Sequence, residues 1–167
     1  DLMETETISS KTWDVTATVE KWDAEADHLA GLPADDVVSV KDNLLLNEGI
    51  GLLLDLLIGG GGTAFTNGNS YIGVGDSTTA ASAAQTGLSA SSNKSYKGQE
   101  SGYPTRTSQT MTWRSVWASG EGNFAWNEWT IANGNSDSST NLNRKVAALG
   151  TKASGSSWTL TVTITVA

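Results

Sequence analysis

The clearest signal along the chain is alternation of apolar and polar residues with a period of two, the mark of strands buried on one face. Ser157–Val166 sets Leu160, Val162, Ile164 and Val166 against Thr159, Thr161, Thr163 and Thr165. Thr12–Trp22 sets Trp13, Val15, Ala17 and Val19 against Asp14, Thr16, Thr18 and Glu20. Thr105–Ala118 alternates through Thr107, Gln109, Met111, Trp113, Ser115 and Trp117, and Ser119-Gly120-Glu121-Gly122 reads as a turn into Asn123–Ala132. These two runs predict one long hairpin. Ser70–Asp76 and Asn143–Leu149 add two shorter strands, whereas 77–104, anchored by Leu88, and 133–141 read as loops. No repeat of fixed period appears, which excludes a solenoid or a propeller.

One segment has a helical period. Asp42–Ile58 places Leu45, Leu46, Gly49, Leu52, Leu53, Leu56 and Leu57 near one face, with Asp42 as N-cap and Gly59–Gly62 as the stop. Leu44, Leu54 and Ile58 widen that face, so the helix is expected to be buried, plugging one end of a sandwich. Gly49 and Gly51 each cost about 1 kcal/mol relative to Ala, which points to a bend or to close approach by another backbone.

Charge divides the chain. Residues 1–58 carry 13 acids and 3 bases, and residues 59–167 carry 5 acids and 7 bases. The asymmetry suggests an acidic N-terminal arm, residues 1–40, and a β-sandwich body, residues 41–167, that includes the helix 42–58. Thr12–Trp22 then has two readings, an extended arm docking on a neighbouring subunit or an edge strand of its own sheet. As an arm it would use Trp13, Val15, Val19 and Trp22 as anchors. The fold class expected is mainly β: an antiparallel sandwich, with a jelly roll among the arrangements left open.

Composition closes several function classes. With no Cys there is no disulfide framework, thiolate site or Cys nucleophile, and one His excludes a site needing two imidazoles. A net charge of −8 opposes phosphate-backbone binding, so no nucleic acid partner is expected. No run of about 18 apolar residues spans a membrane, and the start Asp1-Leu2-Met3-Glu4 shows no cationic leader.

The remaining chemistry is thin. Gly73-Val74-Gly75-Asp76 lacks the third glycine and the helix of a dinucleotide loop, and reads as a strand packed closely under another segment. Asn133–Asn141 imitates a calcium loop, but Arg144 stands where a bidentate Glu belongs and only Asp137 supplies a carboxylate. No metal and no cofactor are expected. Glu121 and Glu128 point to opposite faces, which disfavours a glycosidase pair, and Glu128 is expected to pair with Arg114 across the hairpin. His28 reads as a surface residue; a triad with Asp27 and a serine would need a fold contact. Trp113 and Trp117 share one strand face, and Trp126 and Trp129 are expected on opposite faces of the next. Trp113, Trp117 and Trp129 are candidates for a subunit interface or for stacking on sugar rings, with core and interface preferred.

The order of these segments resembles small structural proteins of tailed bacteriophages, of the capsid cement or decoration kind and the tail-collar fibre kind. The resemblance covers about residues 40–167. It is carried by the Leu-rich helix ending in glycines, Asn69–Asp76, Thr86-Gly87-Leu88, Trp113–Trp117, Gly122–Asn133 and Lys152…Trp158–Val166. It implies a non-enzymatic virion protein on the capsid surface. Its partners would be the major capsid protein or neighbouring virion subunits, and it would self-associate, with three-fold symmetry as the implied form. An arm adding a strand to a neighbour's sheet would supply the mechanism. The alternatives are a fibre adhesin stacking host sugars on exposed Trp residues, and a glycan hydrolase built on Glu128.

Overall fold

The computed structural model describes residues 12–167. The chain forms β1 (Trp13–Trp22), α1 (Glu25–Leu29), β2 (Asp36–Lys41), β3 (Leu44–Leu45), α2 (Asn47–Ile58) and β4 (Tyr71–Gly75), then β5 (Lys94–Gly98), β6 (Thr105–Thr107), β7 (Thr110–Trp117), β8 (Ala125–Ala132), β9 (Asn143–Thr151) and β10 (Ser157–Val166). The strands make two antiparallel five-stranded sheets, in the orders β2-β1-β10-β7-β6 and β3-β9-β8-β4-β5. Val15, Val19, Trp113, Leu160 and Val162 of the first sheet share one core with Ile72, Val74, Trp126, Trp129 and Ile131 of the second. The mainly β, antiparallel, sandwich-like expectation holds.

The period-two segments become strands, and β10 keeps its predicted bounds. β1 differs in role. It pairs with β10 from Trp13↔Val166 to Trp22↔Ser157 on one side and with β2 on the other. Both of its hydrogen-bonding edges are used, so residues 13–22 are an interior strand of their own sheet, neither a docking arm nor an edge. The first eleven residues of the expected arm lie outside the described residues.

The long hairpin does not form. β7 pairs with β10 and β6 in the first sheet, and β8 pairs with β4 and β9 in the second, so residues 118–124 cross between sheets. The crossing is pinned: Glu121 accepts the Ala118 N–H at 2.9 Å, and the Trp126 indole donates to the Gly122 carbonyl at 2.9 Å. Both runs bring tryptophans to one core, which they can line from opposite sides only if they lie in different sheets. Thr105–Ala118 is also broken, by a turn at Ser108 with φ 52° that folds β6 back on β7. β5, inside the expected 77–104 loop, is a half-buried edge strand whose Lys-Ser-Tyr-Lys-Gly sequence shows no apolar alternation.

Helix α2 starts at Asn47, five residues later than expected. Asp42 takes a left-handed φ of 67° and caps nothing, and Leu44–Leu45 pairs with β9. Gly59 ends the helix at φ 70°, as its sequence demands. A Cβ on Gly49 would collide with the Leu142 backbone, so this glycine lets the helix lie directly on the chain entering β9.

Candidate functional site

Six of the seven tryptophans are buried: Trp22, Trp113, Trp117, Trp126, Trp129 and Trp158. Trp117, Trp126 and Trp158 form an edge-to-face column with ring centroids 4.8 and 4.9 Å apart, and the Lys21 ammonium lies 4.5 Å from the Trp158 ring centroid. Trp126 and Trp129 do not take opposite faces. The β8–β9 register slips by two residues between Trp126↔Gly150 and Glu128↔Val146, which breaks the regular alternation, and both indoles reach the core. Trp117 and Trp129 therefore offer no surface to a sugar or a neighbour, and Trp113 shows only a sliver in the wall of a half-open cavity. Val15, Val19 and Trp22 are likewise buried inside their own chain, and of the proposed anchors only Trp13 is half-exposed.

Glu128 is fully buried and pairs with Arg144, not Arg114: Oε2 lies 2.7 Å from both Arg144 Nε and Nη2. Its two oxygens also accept the Ser89 and Ala90 N–H groups at 2.9 and 2.8 Å, while Arg144 donates to the Thr79 carbonyl at 2.8 Å. The pair thus clasps residues 79–90 over the outer face of β4 and β8. That cover explains why β8 is buried on both faces from Glu128 onward. Arg114 instead faces Glu100 at 3.7 Å. Glu121, on the turn, accepts Lys97 at 2.6 Å, so the two glutamates serve separate ion pairs.

The other polar groups are also engaged. Asp137 of the 133–141 loop meets Lys94, accepts the Tyr96 hydroxyl at 2.5 Å and accepts the Leu88 N–H at 3.0 Å. Burial pushes its carboxyl up, but the Lys94, Tyr96 and Leu88 contacts outweigh this and hold it below the ordinary carboxylate range. Burial first, and then the Asp137 carboxylate, push the Tyr96 phenol far up. Among the described residues no group of three or more His, Asp or Glu is placed to hold a metal. Gly73 and Gly75 belong to a strand packed under its neighbours, for a Cβ on Gly73 would lie 2.7 Å from the Tyr96 ring. His28 is not free: it stacks on Trp22 at 3.9 Å, with Nδ1 2.7 Å from the buried Ser157 Oγ.

Exposed apolar side chains remain at Leu29, Leu32 and Val37 near the start of the chain, and the longest run of them lies along α2. Its sequence is apolar nearly all round, yet only Gly49 and Leu52 are buried. Leu57 is 81% exposed, Ile58 78%, Leu54 57% and Ile50 40%. The expected buried plug is thus a helix with one face on the body and an apolar ridge outward. Beside it lies a half-open cavity of about 270 Å³, walled by Trp13, Leu53, Phe65, Pro104, Met111 and Trp113. The exposed Arg106 also lines it. The cavity falls below the ~300–1,000 Å³ of small-molecule clefts but above the ~150 Å³ that admits a benzene ring. It fits one or two branched side chains. Sequence reasoning found Trp13 and Trp113 but missed Phe65, Met111 and Arg106, which stand on segments that only the fold joins. The ridge did leave a signal, since a helix apolar on all sides needs more cover than one sheet end supplies.

No family model matches the chain, and no curated protein and no solved structure matches it either.

Proposed function

We propose that this chain is a non-enzymatic structural protein of a tailed-bacteriophage virion, of the capsid cement or decoration kind. It would tie neighbouring subunits together and self-associate, with three-fold symmetry as the form the resemblance implies. The observation that carries the reading is the exposed Leu54–Leu57–Ile58 ridge of α2, an apolar surface of the kind that marks protein association. The helix expected to be buried would gain its cover from another subunit. Strand addition through β1 drops out of the mechanism, because both edges of β1 are already paired. The adhesin reading loses its residues with the burial of Trp113, Trp117 and Trp129.

Co-sedimentation with expanded tailed-phage capsid shells stripped of their own decoration proteins tests the proposal. Saturable binding at a fixed ratio to capsid subunits is expected. Absence of binding to shells would overturn it, and binding on a glycan array would then favour a fibre module.

A further inference from the structure

We infer that the α2 ridge and the adjoining cavity are the two halves of a contact between copies of this chain: Leu57 and Ile58 of one copy enter the cavity of the next, and Asp55 meets Arg106. This rests on reading α2 as an association surface, but not on any capsid.

Size and polarity argue for it. Leu57 and Ile58 are the most exposed large apolar residues of the helix and stand at its last turn, as a projecting apolar knob. The cavity is walled by aromatic and aliphatic side chains and has room for such a knob. Leu53 lines the cavity, and Leu57 follows it by one turn on the same helix face. Knob and hole therefore form one continuous patch. A copy can give and receive at the same place, either in a reciprocal pair or around a closed ring.

Charge selects the partner. Asp55 flanks the ridge beside Ile58, three residues before it, is exposed, and makes no ion pair among the described residues. Arg106 at the cavity likewise has no acidic partner among them; its Nη1 donates only to the nearby Ser108 carbonyl, at 2.7 Å. Seating the knob would bring an unpaired acid on one copy toward an unpaired base on the other, which is the complementarity that fixes register. α2 has no basic residue and only Glu48 and Asp55 as acids, so an anionic lipid surface would be repelled. Area is sufficient. The ridge exposes on the order of 500 Å² of apolar surface, near the top of the ~300–600 Å² of a typical monomer's largest patch. With the cavity mouth it comes to roughly three quarters of the ~800 Å² per partner of a standard interface, which suits a micromolar contact.

The test is light scattering after size exclusion on the full chain, beside Leu57→Asp, Asp55→Arg, Arg106→Asp and the last two combined. The three residues changed are all exposed, and circular dichroism verifies the fold of each variant. The full chain is expected to be an oligomer at about 100 µM, well above the micromolar Kd that corresponds to −8.2 kcal/mol. Leu57→Asp should be monomeric. Each charge reversal should weaken association at least about tenfold, and the combined variant should recover most of that loss. A monomeric full chain would overturn the inference, as would an oligomer unaffected by Leu57→Asp or a combined variant no better than its parents. A monomer that still binds capsid shells would sink this contact while leaving the virion proposal standing. An oligomer that binds no shell would do the reverse.

Discussion

At the scale of single residues, two buried arrangements hold the polar part of the molecule, and each sets a prediction. Glu128 and Arg144 are both removed from solvent, so each is tolerable only because the other is present. Arg144→Met leaves an unpaired buried carboxylate and should cost about 3–5 kcal/mol in urea unfolding. Glu128→Gln combined with Arg144→Met should cost less than Arg144→Met alone, because the stranded charge is gone. Equal losses would show that the clasp acts through the Ser89 and Ala90 hydrogen bonds rather than through the charge. Asp137 supplies a pH dependence. Its folded carboxyl is held below the ordinary range, with Lys94, Tyr96 and Leu88 outweighing burial. Glu121 is lowered too, chiefly by Lys97. A carboxyl depressed on folding stabilises fully above its unfolded value, near 4, and that stability is lost as pH falls through the folded value. Melting temperature should therefore decline below about pH 4. Asp137→Asn should lower it at neutral pH while flattening the acid limb, and an unchanged slope would remove Asp137 from the account.

At the scale of elements, alternation carried its information faithfully where one face of a strand is wet and one is dry. β10 shows this best over its second half, Thr161, Thr163 and Thr165 half-exposed and Leu160, Val162 and Ile164 buried, while Thr159 nearer its start is buried. The same alternation in β1 said that the segment is a strand, but not which strands would flank it. Pairing is settled by backbone groups identical at every residue. The consequence is measurable. Deleting residues 1–38 removes β1 and half of β2, strips Val15, Val19 and Trp22 from the core, and bares one edge of β10. The truncated chain should lose its cooperative thermal transition and aggregate. A soluble, cooperatively folding truncation would restore the detachable arm. The failed hairpin has a related cause. A turn sequence between two alternating runs specifies a reversal of the chain, and the reversal at 118–124 joins two sheets instead of two neighbouring strands.

At the scale of the whole molecule, the two sheets enclose a tryptophan-rich core, and the chain spends nearly all of its distinctive chemistry on itself. The aromatic rings that could have met a sugar fill the space between sheets. The carboxylates that could have met a substrate or a cation hold loops and ion pairs. Among the surfaces left outward, the end of α2 with its cavity, Asp55 and Arg106 sets apolar side chains and opposite charges on one part of the molecule. The sequence by itself determined the class: mainly β, one glycine-terminated helix, no thiol chemistry, and strands at 13–22, 71–75 and 157–166. Those follow from local pattern, which the solvent reads residue by residue. Only the tertiary structure decided which strands pair, that a break in the β8–β9 register leaves Trp126 and Trp129 on the same side, that Arg144 rather than Arg114 meets Glu128, and which face of an all-apolar helix stays bare. Each depends on segments far apart in the chain meeting in space, and burial there is a property of the assembled sheets rather than of any stretch of sequence.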